Sequence, residues 1–251
     1  MRYGATILSV TGILLTACAT LNPTPPVPIS EVVSLSKSGA PSQQVISRIG
    51  RTIYAPRGSD FGKLADLGVQ PQVLDFIQTR FVNDVELLTR AYVQGESRGG
   101  CRDCFPQLLD LANLASGGNG MAAEQTGGRR TGGGRPPGVP TWVPNATSTA
   151  FRNAPGLSLD EIARRAAAGV PVEQLVAQIR GSRLEGVIAQ GVIATGQISF
   201  GTRSSVGLPG SRLAQLRTQG VPDPVLDAIQ EQYLAQFIEF QRQRFRAGMR
   251  V

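Results

Sequence analysis

Two cysteines three residues apart are the one place where this chain could carry covalent chemistry. They are Cys101 and Cys104, in Gly99-Gly100-Cys101-Arg102-Asp103-Cys104-Phe105-Pro106. In an oxidising compartment such a pair closes a disulfide, because a turn brings positions i and i+3 within bridging distance. The same C-x-x-C spacing serves thiol redox proteins. Those set the pair at a strand-to-helix junction, and here two glycines precede it. Half of a metal site and a pair of free thiols are the remaining uses. The metal use needs more ligands than a chain with 3 cysteines offers. The structural disulfide is the reading carried forward, with redox work as its alternative.

Histidine is absent from the whole chain. That absence excludes Ser-His-Asp and Cys-His catalysis, His-ligated zinc or iron, and covalent c-type haem. No catalytic residue, metal ligand or cofactor is expected. The formal charge is +7, and almost all of the positive charge is arginine, since the only lysines are Lys37 and Lys63. A basic chain of this kind suits nucleic acid or an anionic surface. Its arginines are scattered, however, so genome composition explains them equally well.

The third cysteine, Cys18, stands in a different context. Met1-Arg2 gives a positive end, and Tyr3 to Leu15 is mostly apolar. That run is too short to span a bilayer, which takes about 20 residues of helix, so it reads as a secretory signal. Leu15-Thr16-Ala17-Cys18 then closes it. These four residues resemble the lipobox of bacterial lipoproteins, a resemblance that covers residues 1–18. It implies that the Cys18 thiol receives a diacylglyceryl group, that cleavage follows before Cys18, and that the new amine is acylated. Loss of Arg2 would leave +6 (+7 − 1). Each buried CH₂ adds about 0.8 kcal/mol, so several acyl chains anchor stably where one would not. In enterobacterial lipoproteins an Asp after the cysteine favours inner-membrane retention. Here Ala19 stands there, which implies the outer membrane, facing the periplasm, with the inner membrane and the cell surface as alternatives. Thr20 to Pro28 is a proline-rich, semi-stiff tether.

The rest of the chain is organised by a phrase that occurs four times. A glycine ends a helix, a short turn follows, and an apolar pair opens the next helix. The glycines are Gly39, Gly68, Gly169 and Gly220. Each is placed where a left-handed residue stops a helix. Apolar residues seven and four positions before Gly39 and Gly68, namely Val32 with Leu35 and Phe61 with Leu64, lie on one helix face. Pro41 and Ser42 restart the chain, and Ser59 or Asp60 is expected to cap the third helix. Long amphipathic helices are expected from about Gln72 to Tyr92 and from about Pro224 to Arg246.

Leu159 to Ile179 repeats Ile29 to Ile49 at an offset of 130, with Glu161, Gly169, Pro171, Gln174 and Ile179 identical. Leu213 to Arg242 repeats Phe61 to Arg90 at an offset of 152, with Leu216, Gly220, Val221, Val225, Leu226, Asp227, Ile229, Gln230 and Arg242 identical. The difference of 22 (152 − 130) is an insertion within Glu185 to Val206, where a short β-hairpin at 186–200 or else a loop is expected. Asp75 and Asp227 fall in first helical turns and read as caps.

The expected fold is all-α, with two copies of a hairpin pair, each ending in a long helix. The expected segments are signal 1–17, lipidated tether 18–28, first unit 29–114, flexible Gly-rich linker 115–156 and second unit 157–251. Whether the units pack together, and what Trp142 does, the pattern leaves open. The repeat resembles helical-hairpin repeats of bacterial lipoproteins of uncharacterised activity, a family that supplies no active residue. The function expected is a non-catalytic, membrane-anchored structural or protein-interaction module with an envelope protein as partner. A helix-turn-helix nucleic-acid binder is the alternative, with glycine and apolar positions at Gly220, Val221, Leu226 and Ile229. It is disfavoured, because the start of its reading helix holds Asp223, Asp227 and Glu231 and no arginine. The last helix ends in Arg242, Arg244, Arg246 and Arg250. The helix dipole accounts for them, or else contact with anionic lipid or a partner does.

Overall fold

The computed structural model describes residues 26–97, 154–187 and 207–248. Cys18, Cys101, Cys104, Trp142 and the linker before 154 lie outside the described residues. Among the described residues the protein is all-α apart from one pair of two-residue strands. The elements are α1 (Ile29–Lys37), α2 (Ser42–Ile49), α3 (Gly58–Asp66), α4 (Pro71–Ser97), β1 (Gly156–Leu157), α5 (Leu159–Ala167), α6 (Val172–Arg180), β2 (Arg183–Leu184), α7 (Gly210–Thr218) and α8 (Asp223–Gly248).

The four glycines stop four helices by one mechanism. Gly39, Gly68, Gly169 and Gly220 have φ of 78°, 88°, 78° and 86°. Each glycine N–H donates to the carbonyl three residues back, and the next N–H donates to the carbonyl five back. For Gly220 and Val221 these bonds run to Arg217 and Leu216 at 2.9 and 3.1 Å. This pairing satisfies carbonyls that the helix end leaves open, and it requires a left-handed residue. At Gly39, Gly169 and Gly220 an added Cβ would meet nothing within 4 Å. The requirement there is therefore dihedral and not spatial.

Helix starts differ in detail from the sequence expectation. α3 begins at Gly58, one residue before Ser59. Asp60 accepts from the Arg57 N–H at 2.8 Å and so caps from inside the helix. Pro41 occupies the N-cap of α2, and the Ser42 hydroxyl donates across to Gln70 instead. The Gln70 amide in turn donates to Ala40 O at 2.9 Å, tying the first glycine turn to the second.

Each first hairpin is closed where its two ends meet. In the second copy β1 and β2 pair in parallel, with Arg183 N donating to Pro155 O at 2.9 Å and Glu185 N to Leu157 O at 3.1 Å. The pairing is parallel because the whole α5–α6 hairpin lies between the strands. In the first copy side chains close the same gap. Val27 N donates to Thr52 Oγ1 at 3.0 Å, and Tyr54 Oη donates to Val27 O at 2.7 Å. Burial, with the Glu31 carboxylate adding to it, pushes the Tyr54 phenol well above its ordinary range. The strand thus falls at 183–184, ahead of the hairpin expected at 186–200. Of that stretch only Gly186 and Val187 are described, and neither is in a strand.

The second hairpins do not pack as separate units. α3 lies against α7 and α8 more extensively than against its own partner α4, and α4 lies against α8 and α7. α2 packs on α4, and α6 on α8. One continuous apolar core results, drawing Val45, Ile49, Phe61, Val73, Leu74 and Ile77 from the first copy and Leu175, Ile179, Leu213, Val225, Leu226 and Ile229 from the second. These are the apolar positions of the repeated phrase, and burying one such side chain stabilises by about 1.5–3 kcal/mol.

Candidate functional site

The polar groups that the fold brings together lie where the two copies cross. Asp227, in the first turn of α8, accepts from the backbone N–H of Ser59 at 2.8 Å. Asp75, in the first turn of α4, accepts from the backbone N–H of Ser211 at 2.8 Å. Each long helix thus supplies a carboxylate to the N-terminus of the other copy's short helix. Both aspartates were expected to serve their own helices. The tertiary fold aims them across, onto N–H groups that no residue of α3 or α7 reaches.

The approach is close enough to require glycine. A Cβ on Gly58 would lie 2.0 Å from Leu226 O, and one on Gly210 would lie 2.5 Å from Leu74 O. The partners are backbone carbonyls in first helical turns, which cannot move aside. Gly58 matches Gly210, and Ser59 matches Ser211, at the same offset of 152 (210 − 58 = 211 − 59). These two identities lie just upstream of the aligned stretch, and sequence reasoning did not single them out.

One helical turn beyond each aspartate stands a glutamine, and the two form an amide pair. Gln78 and Gln230 are both 0% exposed. Gln78 Nε2 donates to Gln230 Oε1 at 3.0 Å, and Gln230 Nε2 donates to Gln78 Oε1 at 2.9 Å. The available signal was a polar identity, Gln78 with Gln230, inside two apolar helix stripes. A buried amide needs a partner, and its counterpart at the same repeat position is the natural one.

Further along, the long helices hold the ends of the first hairpins. Arg80 Nη2 donates to Arg51 O at 3.3 Å. Its counterpart at the offset of 152, Gln232, donates to Ser182 O. Asp84, one turn beyond Arg80, is buried, and burial raises its carboxyl above the usual range while Arg80 pulls the other way. Glu161 is held below the usual range by its hydrogen bond from Arg165, with Arg164 close by.

The basic end of α8 is engaged within the protein at two of its four arginines. Arg242 is 8% exposed. Arg244 pairs with Glu86 of α4 at 3.6 Å and lies over the Phe245 ring, 6.0 Å from its centre. Arg90 of α4 lies over the same ring at 5.8 Å. The side chain of Arg246, and Arg250, lie outside the described residues.

The insertion leaves and re-enters the fold at one point. A Cβ on Gly207 would lie 1.6 Å from Val187 O, so the two described residues that flank 188–206 touch. Among the described residues no group of three or more Asp, Glu, Cys or His could hold a metal ion. Nor is any described helix long and apolar enough to cross a membrane. The carboxylates that approach one another across the interlock are occupied as caps and ion pairs, so the arrangement holds two helical units together. No protein-family model, no curated protein and no solved structure matches this chain.

Proposed function

We propose that the chain is a non-catalytic lipoprotein, anchored through Cys18, whose interlocked body is a periplasm-facing structural or protein-interaction module. The observation that carries this reading is Leu15-Thr16-Ala17-Cys18 at the close of a short apolar segment. Among the described residues the tether meets the body at Val27, through Thr52 and Tyr54. From Cys18 to Val27 is nine steps of chain (27 − 18), which span at most about 30 Å at 3.3–3.6 Å per residue. The body therefore stands close to the bilayer, within reach of other envelope proteins. The outer membrane is the location that Ala19 favours.

Two supports bear on the non-catalytic part. There is no histidine, and the polar groups gathered at the crossing are used in packing. The nucleic-acid alternative would use the first turn of α8 as its reader. That turn lies against α3, with Leu226 O facing Gly58 and Asp227 bonded to Ser59, where no groove could reach it. The thiol redox alternative concerns Cys101 and Cys104, outside the described residues.

Detergent phase partition and mass spectrometry of the N-terminal peptide test the anchor. The wild type should enter the detergent phase and carry the lipid mass on Cys18, and Cys18→Ser should remain in the aqueous phase. An unmodified Cys18 in a cytosolic protein would overturn the reading and revive nucleic-acid binding. Crosslinking in the intact envelope, followed by pull-down against the Cys18→Ser control, then identifies the partner.

A further inference from the structure

The contacts between the copies divide into two sets. The first set is the same in both directions: Asp75 with Ser211, Asp227 with Ser59, Gln78 with Gln230, and the glycine seats at 58 and 210. Any pairing of two units, like or unlike, could form these. The second set has no mirror. Gly62 of α3 receives the stem of Arg217 of α7, where a Cβ on residue 62 would lie 2.0 Å from Arg217 Cδ and 3.1 Å from Arg217 Cβ. At the offset of 152, Gly62 corresponds to Ala214 and Arg217 corresponds to Ala65.

We propose that the interlock is a selective recognition surface. The first half accepts the second half, from its own chain or from another copy, in preference to a second copy of itself. The Arg217 stem in the Gly62 gap sets that preference. This inference is independent of how the chain is anchored.

Consider the two like pairings. Two first halves would set Ala65 where Arg217 lies, and the gap beside Gly62 would stay unfilled. Asp66 and Lys63 would lose their ion pairs across the interlock as well. Arg217 Nε lies 3.2 Å from Asp66 Oδ2, and Lys63 Nζ lies 3.7 Å from Asp223 Oδ2, but position 223 corresponds to Pro71 in the first half. Two second halves would press the Ala214 methyl into the Arg217 stem. Swinging the end of the stem aside does not clear the whole contact, because Arg217 Cβ and Cγ also lie 3.1 Å from a Cβ at position 62. Position 66 corresponds to Thr218 in the second half, so the Asp66 contact is also lost. Only the unlike pairing fills the gap and keeps the two ion pairs across the interlock, Arg217 with Asp66 and Lys63 with Asp223. These pairs are partly exposed, so shape carries the larger share and charge the smaller.

The test begins with the intact chain carrying a protease site within 115–140. The chain is cut after folding, the two halves are unfolded and refolded together, and native mass spectrometry separates the pairs by mass. The mixed pair should outnumber the two like pairs together by about tenfold or more, where random pairing of equal halves would make the two amounts equal. Gly62→Ala alone should weaken the mixed pair by about tenfold to a hundredfold, as overpacking of a tight contact does. Gly62→Ala with Arg217→Ala should move the mixture towards the random one. A random mixture from the wild-type halves, or no movement in the double variant, overturns the proposal.

A second measurement uses the intact chain and does not depend on refolding of cut halves. Gly62→Ala should lower Tm clearly in the wild-type background and little in the Arg217→Ala background. An equal drop in both backgrounds overturns the proposal.

Discussion

Gln78 and Gln230 exchange hydrogen bonds at 3.0 and 2.9 Å in the centre of the molecule, with neither exposed to water. They are 152 residues apart in sequence and occupy the same position in two copies of one unit. A reciprocal amide pair of this kind satisfies both members only while both are present. Gln78→Met should therefore strand the Gln230 amide and cost about 1–3 kcal/mol, and Gln230→Met should cost the same. The double variant, apolar on both sides, should lose less than the sum of the two. Urea unfolding of the four proteins measures the coupling, and strict additivity would show that the pair does not act as one.

The crossed caps lead to a matched pair of losses. Asp75→Ala leaves the Ser211 N–H at the start of α7 without its carboxylate, and Asp227→Ala does the same to Ser59 at the start of α3. Each should cost about 1–2 kcal/mol, the range for losing a helix cap. The two losses should be alike, because both hydrogen bonds are 2.8 Å. Amide exchange should locate each loss in the other copy. For Asp75→Ala the faster-exchanging amides should be those of α7, and opening confined to α4 would contradict the crossed arrangement.

Glycine substitutions should separate into two classes. Gly39→Ala meets nothing within 4 Å and suffers only the strain of φ 78°, so a loss of about 1 kcal/mol is expected. Gly58→Ala drives a methyl to within 2.0 Å of a helix carbonyl. Its loss should exceed 3 kcal/mol, at the upper end for overpacking. Thermal melts of both variants decide the point, and similar Tm values would mean that α3 can slide away from α8.

Asp84 should set part of the acid dependence of stability. Burial raises its folded-state carboxyl above the usual value. The folded state therefore holds that proton to higher pH than the unfolded state does. This contribution is fully present below the unfolded value, and it is lost as pH rises through the folded one. Asp84→Asn should remove that dependence and raise stability at neutral pH, where the wild type holds a buried charge. Glu161 acts with the opposite sign. Its lowered value contributes stability at neutral pH that is lost on acidification. Denaturation of Asp84→Asn across the acid range gives the difference, and a gain confined to acid pH would reverse the sign argued here.

Local order was legible in the sequence. Glycine at the end of each apolar stripe, with an apolar pair opening the next, determined four helix stops at Gly39, Gly68, Gly169 and Gly220 and the all-α class. These are contacts within a few residues, so spacing alone encodes them. The two offsets, 130 and 152, also came from the residues themselves. What no local pattern carries is which residues meet across those offsets. Asp75 reaches Ser211 over 136 positions, and Asp227 reaches Ser59 over 168. A carboxylate in a first turn looks the same whether it serves its own helix or another. The strand pair closing α5–α6 was likewise invisible, because two residues are too few to show an alternating pattern. Only the tertiary fold decided that the two copies cross and that Gly58 and Gly210 are seats for a neighbouring backbone. The physical reason is that burial of the two apolar faces against each other, and not any local preference, selects the crossing.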